Sequence, residues 1–497
     1  APMADTPTQL PLFAPSEDEE VAAQIEARRL RPLAQLWTPE ALSRSFLLSH
    51  DDIAQIRTCH GSHNRLGFAL QLALIRFLHI VLPNFVRVPE PIIHFISLQL
   101  DINPSALTTY ASRPQTRDDH VAQIRTYLGL RSYAAADSDA LRTYLIQRAM
   151  HRDDAGVLIA EAEDWLRRAH ILFPAVSTLQ RLVGYARMVA EEQIQQVVMR
   201  QLQPAQIANL EALLTRSQGR RGSTFAWLKT AAPAASVNAI GELLSKRATI
   251  LALSVTDLDL RVLNRNRVRQ FAQLGHSYHA GSLKRFDPPK RYVILVCLLQ
   301  DLIQEVTDDI IEMLDVLIGR IFSQSEKERD EEFKQQGKHI NAKLILFRTI
   351  TAIVLDRDIP DDQVREQAFG AIPAEALQRA YDESAALVQP EDFNIFAFVV
   401  KRYSHLRSFL VDVLDAIPFT GTDAARPTLD ALAFINHLAM TKPRWKKLPP
   451  EVPLSFLDDR WRSVVCPSPD TIDHQLWMLG LAEQLRRQLR SADILVP

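Results

Sequence analysis

From about residue 21 onward, apolar residues recur at three- and four-residue spacing, the period of helices that turn one face to a core. Ser16 followed by Glu17, Asp18, Glu19 and Glu20 has the chemistry of a capped, acidic first turn and predicts a helix to about residue 30, behind a flexible arm over 1–16. Ser49 with Asp52 three positions on predicts a second start, carrying Ile53 and Ile56. Ser62 is placed as the cap of a four-turn helix on which Leu66, Leu70, Ala73, Leu74 and Phe77 share a face. Pro89 and Pro91 suit the first turn of a helix over 92–100; Asp101-Ile102-Asn103 ends it, and 104–110 starts another behind an Asn103 cap. Two short helices about a tight turn make a helix-turn-helix-like pattern. Thr116 begins the next helix, with Val121, Ile124 and Leu128, and Gly129 stops it.

A second pattern of this kind spans 171–183, between an amphipathic helix through Trp165 and Leu166 and a long helix from Ser177 toward Leu202. Gly219-Arg220-Arg221-Gly222-Ser223 predicts an exposed loop. Helices are expected over 237–249 and 256–274, a less regular stretch over 275–286, then a long helix over 291–322 and a separate charged one over 325–336. Pro360, Pro373, Pro390, Pro418 and Pro427 punctuate shorter helices, the last ends near Arg490, and 494–496 has the look of a strand. No fixed-period repeat is present, which argues against a solenoid.

Composition agrees with the pattern: Gly is scarce at 15 and helix formers dominate the 497 residues. We expect an all-α, multidomain helical array with tandem helix-turn-helix-like modules, divided at 1–30, 31–150, 151–260, 261–390 and 391–497. Cys59, Cys297 and Cys466 are far apart and form no C-x-x-C pair, which suits a reducing cytoplasm and suggests neither a disulfide framework nor a thiolate metal site. Cys59, His60 and His63 match no standard zinc spacing. The longest apolar run, 68–82, is broken by Gln71, Arg76 and His79 and is too short and polar to span a bilayer. The net charge is −2, so any affinity for nucleic acid must come from local clustering.

Such clustering exists. Arg265, Arg267, Arg269, Lys284, Arg285, Lys290 and Arg291 face a single acid, Asp287, over 261–291, with His276, Tyr278 and His279 interleaved. Phosphate-backbone contact accounts for this composition; a solvated face, or pairing with the acidic 301–315 helix, is the alternative. Arg216, Arg220 and Arg221 form a smaller cluster, and Lys442, Arg444, Trp445, Lys446 and Lys447 a third. On the first helix-turn-helix-like corner the groove-facing candidates are Ser105, Thr108, Thr109 and Arg113, with Gln99 near the turn. On the second, Ser177 and Thr178 are candidate caps while Gln180, Arg181 and Arg187 project outward. Arg65, with His63 and Asn64, stands at a helix N-terminus where a phosphate could be held. Each set has a bland counterpart, a capped or solvated helix.

Five blocks in order resemble the Tn-three family of replicative transposases. They are the 62–77 segment, Arg113-Pro114-x-Thr116-Arg117-x-x-His120, His170-Ile171-Leu172-x-Pro174 with Ser177-Thr178-Leu179-x-Arg181-Leu182, Tyr403-x-x-Leu406-Arg407-x-Phe409-Leu410, and Leu489-Arg490-Ser491-x-Asp493-Ile494-x-Val496. The resemblance implies the DNA-recognition half of such a transposase: binding of double-stranded DNA at terminal inverted repeats, a homodimer in the full-length protein, no membrane, and a cytoplasmic setting at the nucleoid. In the family a DDE-type catalytic module follows the last block, and the sequence ends at Pro497 ahead of it. On that expectation no catalytic carboxylate is assigned here, and the divalent metal, magnesium, belongs to that module, with no cofactor expected in this chain. The rival readings are a non-catalytic scaffold and a piece of a full-length active enzyme.

Overall fold

The computed structural model describes residues 17–110, 114–215, 222–387, 395–441, 451–468 and 471–496. The chain is all-α. In order the helices are α1 (Glu17–Leu30), α2 (Pro39–Phe46), α3 (His50–Arg57), α4 (Ser62–Leu78), α5 (Glu90–Leu100), α6 (Pro114–Tyr127), α7 (Ala135–Ala149), α8 (Ala155–Arg168) and α9 (Val176–Met199). They continue as α10 (Pro204–Leu213), α11 (Thr224–Leu228), α12 (Val237–Ala252), α13 (Arg265–Ser277), α14 (Ala280–Leu283) and α15 (Pro288–Leu355). The remainder are α16 (Val364–Ala371), α17 (Ala374–Leu387), α18 (Phe396–Val399), α19 (Tyr403–Ala416), α20 (Arg426–Thr441), α21 (Asp459–Val465) and α22 (His474–Arg490). Two-residue strands β1 (Thr420–Gly421) and β2 (Ile494–Leu495) pair antiparallel. No helix among the described residues is long and apolar enough to cross a membrane.

Two compact units divide the chain. The first comprises Ala1–Gln203, Leu258–Tyr278 and Lys284–Cys297; the second holds the rest.

The first unit is organised around α4. From Leu66 to Ile75 every residue of this helix is buried, so it is wrapped on all sides rather than presenting the single apolar face that the spacing predicts. Gly61, at φ 85°, is its N-cap, which leaves Ser62 as the first helical residue and not the cap. Around it pack Leu42 and Phe46 of α2, Ile56 of α3, Ile92 and Ile96 of α5 and Ile124 of α6. An ionic node fixes this assembly. The carboxylate of Asp52, fully buried, accepts from the Ser49 amide at 2.8 Å, from both terminal nitrogens of Arg76 at 2.9 and 2.6 Å, and from the Tyr127 hydroxyl at 2.8 Å. Burial pushes this carboxyl up, but Arg76, the Ser49 amide and Tyr127 outweigh it and hold it at about 2.

A second cluster in the same unit joins Leu141 and Leu145 of α7, Leu158, Ile159, Ala162 and Leu166 of α8, and Leu179, Val183, Ala186 and Ala190 of α9. Short backbone bonds tie it to the first: the Leu172 amide donates to Arg131 O at 3.1 Å and the Phe173 amide to His79 O at 3.0 Å.

Three boundaries differ from expectation. The stretch 256–274 is not one helix, because Asn264 caps α13 by accepting from the Asn266 amide at 2.9 Å, and the helix begins at Arg265. Inside 275–286, α13 runs on to Ser277 and α14 forms behind His279, whose Nδ1 accepts from the Ser282 amide at 2.9 Å. The two helices expected over 291–336 are one, and α15 passes through Ser323 and Ser325 without a break. Ser325 Oγ donates back to Ile321 O at 2.8 Å, the i−4 bond by which serine is accommodated inside a helix.

In the second unit, Leu302, Val306, Ile310, Leu314, Leu317, Ile318 and Ile321 form the buried stripe of α15. Its acids serve as intrachain anchors: Asp315 receives Arg486 at 3.0 Å and Arg490 at 2.6 Å, and Glu328 receives Lys401 and Arg402, each at 2.8 Å.

Candidate nucleic-acid interface

The basic segment 261–291 separates into two populations once it is folded. On α13, Arg265 and Arg269 are one turn apart and both exposed, whereas Arg267 lies on the opposite face with Phe271, Ala272 and Gly275 and is only 2% exposed. The Arg267 guanidinium pairs with Asp153 at 3.2 Å, donates to Gln270 Oε1 at 3.0 Å and sits over the Phe271 ring at 5.2 Å. Arg267 therefore does not present its charge to a phosphate as the sequence suggests; the helical period turns it inward. Lys290 pairs with Glu191 at 2.9 Å, and Arg291 donates to Lys284 O at 3.1 Å and Phe286 O at 3.0 Å. These two charges are engaged in holding the chain together.

Four cations remain. Arg265, Arg269, Lys284 and Arg285 are exposed, and among the described residues none pairs with a carboxylate. The segment that bears them is tied to α9 through Asp153 and Lys290. Asp153, in the turn just before α8, receives Arg187 of α9 at 2.7 Å as well as Arg267 of α13. Burial raises the Asp153 carboxyl, but the bond from Arg187 and the charges of Arg267 and Arg187 bring it below its ordinary value. Arg187 is thus engaged as a strut to the turn before α8. The Asn264 amide lies 2.7 Å from His151 Nδ1, a further tie between α13 and the α7–α8 turn.

On α9 the buried positions 176, 179, 182, 183 and 186 leave Ser177, Arg181, Gly184 and Tyr185 on the solvent side. Ser177 and Thr178 do not cap this helix: its N-cap is Ala175, and the two hydroxyl residues occupy the second and third helical positions. Arg181 is exposed, and Gln180, half-buried, is engaged within the protein.

The first corner departs further from expectation. Residues 104–109 form a six-residue 3₁₀ helix rather than an α-helix. The Thr108 hydroxyl donates to Ser105 O at 2.8 Å and that of Thr109 to Ala106 O at 3.1 Å. Asn103 caps the turn as expected, accepting from the Ser105 amide at 2.9 Å. Gln99 is committed to structure, since it accepts from the Leu48 amide at 2.8 Å and donates to Phe46 O at 3.1 Å, fastening the α2–α3 junction. Exposed Arg65 donates from Nε to Cys59 O at 3.0 Å, and Asn64 donates to His60 O at 3.0 Å. Arg113, Arg216, Arg220, Arg221 and the cluster from Lys442 to Lys447 lie outside the described residues.

One feature beside this corner has no counterpart in the sequence reading. A cavity of about 720 Å³ opens between the 83–86 loop, α5 and residues 104–110. Tyr110 forms one of its walls, in a ring stack with Phe85 at 5.6 Å and His120 at 5.7 Å. Gly67 makes room for that ring, because a Cβ there would lie 2.0 Å from Tyr110 Cδ2. Burial lowers the His120 imidazole below its ordinary range, and the Tyr110 hydroxyl lies 3.2 Å from His120 Nδ1.

A domain described only as being of unknown function, DUF4158, matches residues 23–186. The transposase for transposon Tn1546 of Enterococcus faecium is 28% identical over 456 residues, 91% of this chain and 46% of that protein. The transposase for transposon Tn501 of Pseudomonas aeruginosa is 26% identical over 93% of the chain and 47% of its own length, and that for transposon Tn21 of Escherichia coli 27% identical over 95% and 47%. The chain spans about half the length of the curated relatives it matches.

Proposed function

We propose that this chain, a member of the Tn-three transposase family by its similarity over nine-tenths of its length, binds double-stranded DNA at the terminal inverted repeats of a transposon. The observation that carries the reading is the set of exposed cations Arg265, Arg269, Lys284 and Arg285, all in the first unit, with α13 tied to α9 through Asp153. Such charges neutralise phosphates and supply affinity without sequence choice. Arg181 on the solvent face of α9, with Ser177 one turn before it, is the best-placed candidate for reading a base edge. Transposition chemistry, with its carboxylates and its magnesium, falls on this reading to the part of the relatives that the chain does not span, so end binding persists in EDTA.

Fluorescence anisotropy with a transposon-end duplex and a scrambled one tests this. The end is bound more tightly, Arg181→Ala narrows the difference, and Arg269→Ala weakens both equally. Equal, weak binding to both duplexes by the wild-type chain supports the scaffold reading instead.

A homodimer is the second element of the proposal. Leu344, Ile345, Phe347, Val354 and Leu355 of α15 and Tyr381 of α17 are exposed, and Leu344, Phe347 and Tyr381 line one apolar cleft between these helices. A second copy of the chain covers it in this reading.

A further inference from the structure

The first part of α9 carries no acid: residues 176–190 contain neither Asp nor Glu. The exposed positions of that stretch are Ser177, Arg181, Gly184, Tyr185 and Met188. At about 100° per residue they fall within an arc of roughly 100°, along about 16 Å of helix. Beyond them Glu191 is drawn to Lys290 at 2.9 Å, and exposed Glu192 is the first carboxylate on the face.

Two features of this face serve nothing inside the protein. Gly184 stands in mid-helix without a positive φ, and a Cβ built on it would meet nothing within 4 Å. Neither packing nor backbone conformation asks for glycine there, and alanine would favour the helix. Tyr185 and Met188 are 45% and 50% exposed, and the Arg142 guanidinium of α7 lies over the Tyr185 ring at 5.3 Å. Bare backbone flanked by an arginine and two large apolar side chains suits an external body that comes closer than a Cβ allows.

We propose that this face lies in the major groove of the transposon end, with Gly184 at the point of closest approach and Tyr185 and Met188 against thymine methyl groups. This rests on the DNA-binding reading above and adds specificity residues to Arg181. Charge selects the occupant. Arg181 pairs with no carboxylate among the described residues, Arg142 brings a second cation shared with Asp139 at 3.1 Å, and the absence of acids over 176–190 leaves phosphates unopposed. The groove is about 12 Å wide and admits a helix, Arg matches guanine O6 and N7, and the thymine methyl is the apolar group that base edges offer there.

Gly184→Ala in the full chain tests the close approach. It melts no lower than wild type, since the methyl meets open space and suits a helix. It binds the end duplex about tenfold more weakly, with a smaller loss on a scrambled duplex. Exchanging thymines for uracil one position at a time removes only methyl groups; it weakens the wild type about fourfold at one or more positions, and Met188→Ala loses that sensitivity. A Gly184→Ala protein that binds the end like wild type, or loses equally on both duplexes, overturns the groove contact and spares the DNA-binding reading. A variant that melts several degrees lower shows the glycine to be structural and overturns it too. A flat uracil profile overturns the thymine contacts. Failure of the wild type to bind any end duplex sinks both readings.

Discussion

Replacing Arg267 separates charge that braces the protein from charge that meets DNA. The side chain is 2% exposed and bridges α13 to Asp153 at 3.2 Å, with its guanidinium 5.2 Å from the Phe271 ring centroid. Removing one partner of a buried ion pair costs about 3–5 kcal/mol. Asp153 keeps Arg187 at 2.7 Å and is itself partly exposed, which places the cost of Arg267→Ala below that range, at about 2–3 kcal/mol. Arg267→Met preserves most of the packing volume and isolates the charge. In a unit of this size the loss lowers the melting transition by roughly 5–10 °C in a thermal scan followed by circular dichroism. Well below that transition, the salt dependence of DNA binding stays at its wild-type slope. Arg269→Ala does the reverse: melting stays within about 0.5 kcal/mol of wild type, and the slope of log K against log salt becomes shallower by about 0.9. An Arg267→Met protein that melts like wild type and binds DNA with a reduced slope refutes the burial of that charge.

Asp52→Asn removes the carboxylate that Arg76, the Ser49 amide and Tyr127 share. Because the folded pKa of about 2 lies below the ordinary 3.8, the stabilisation of about 2 kcal/mol is complete above pH 4 and is lost as pH falls from 4 through 2; acid titration of the melting temperature should show that loss in the wild type and not in the variant. Gly67→Ala places a methyl carbon 2.0 Å from Tyr110 Cδ2, so the ring must leave its seat at a cost of about 1–3 kcal/mol, visible as reduced melting and an altered near-ultraviolet spectrum. The pair Leu344→Glu with Phe347→Glu should make the chain sediment as a monomer at concentrations where the wild type is dimeric; a monomeric wild type at high micromolar concentration sinks the dimer.

The helical class was legible because the apolar spacing holds over long stretches and does not depend on which face is covered. What surrounds a helix is another matter. The run from Leu66 to Ile75 contains Gln71 and Gly67, and spacing alone turns these outward, yet α4 is enclosed by α2, α3, α5 and α6 and both residues are buried. Counting charges over 265–291 likewise treats seven basic residues as one patch. The signal that separates them was present: Arg267 and Phe271 are four apart, as are Arg265 and Arg269, and the first pair has an apolar partner. Asp153 and Glu191, the acids that neutralise Arg267 and Lys290, come from more than 90 residues away, and no local pattern reveals such a pairing.

Two of the sequence blocks that carry the resemblance converge on one aromatic residue outside both. Gly67, in the 62–77 segment, is the floor on which the Tyr110 ring rests, and His120, closing the next block, stacks against the ring's face with its Nδ1 3.2 Å from the hydroxyl. A glycine with no positive φ and a histidine whose imidazole burial lowers below its ordinary range are explained by the seating of Tyr110 and by little else in their surroundings. Tyr110 in turn backs Phe85 and lines the cavity that Gln71 closes from the central helix. The 62–77 segment therefore sets the seat of Tyr110 and with it the place of the 104–110 turn. On the proposed DNA-binding reading, substitutions of its buried residues should alter binding as far as they move Tyr110, whereas loss of the exposed cations of α13 and of residues 284–285 should lower affinity for every sequence.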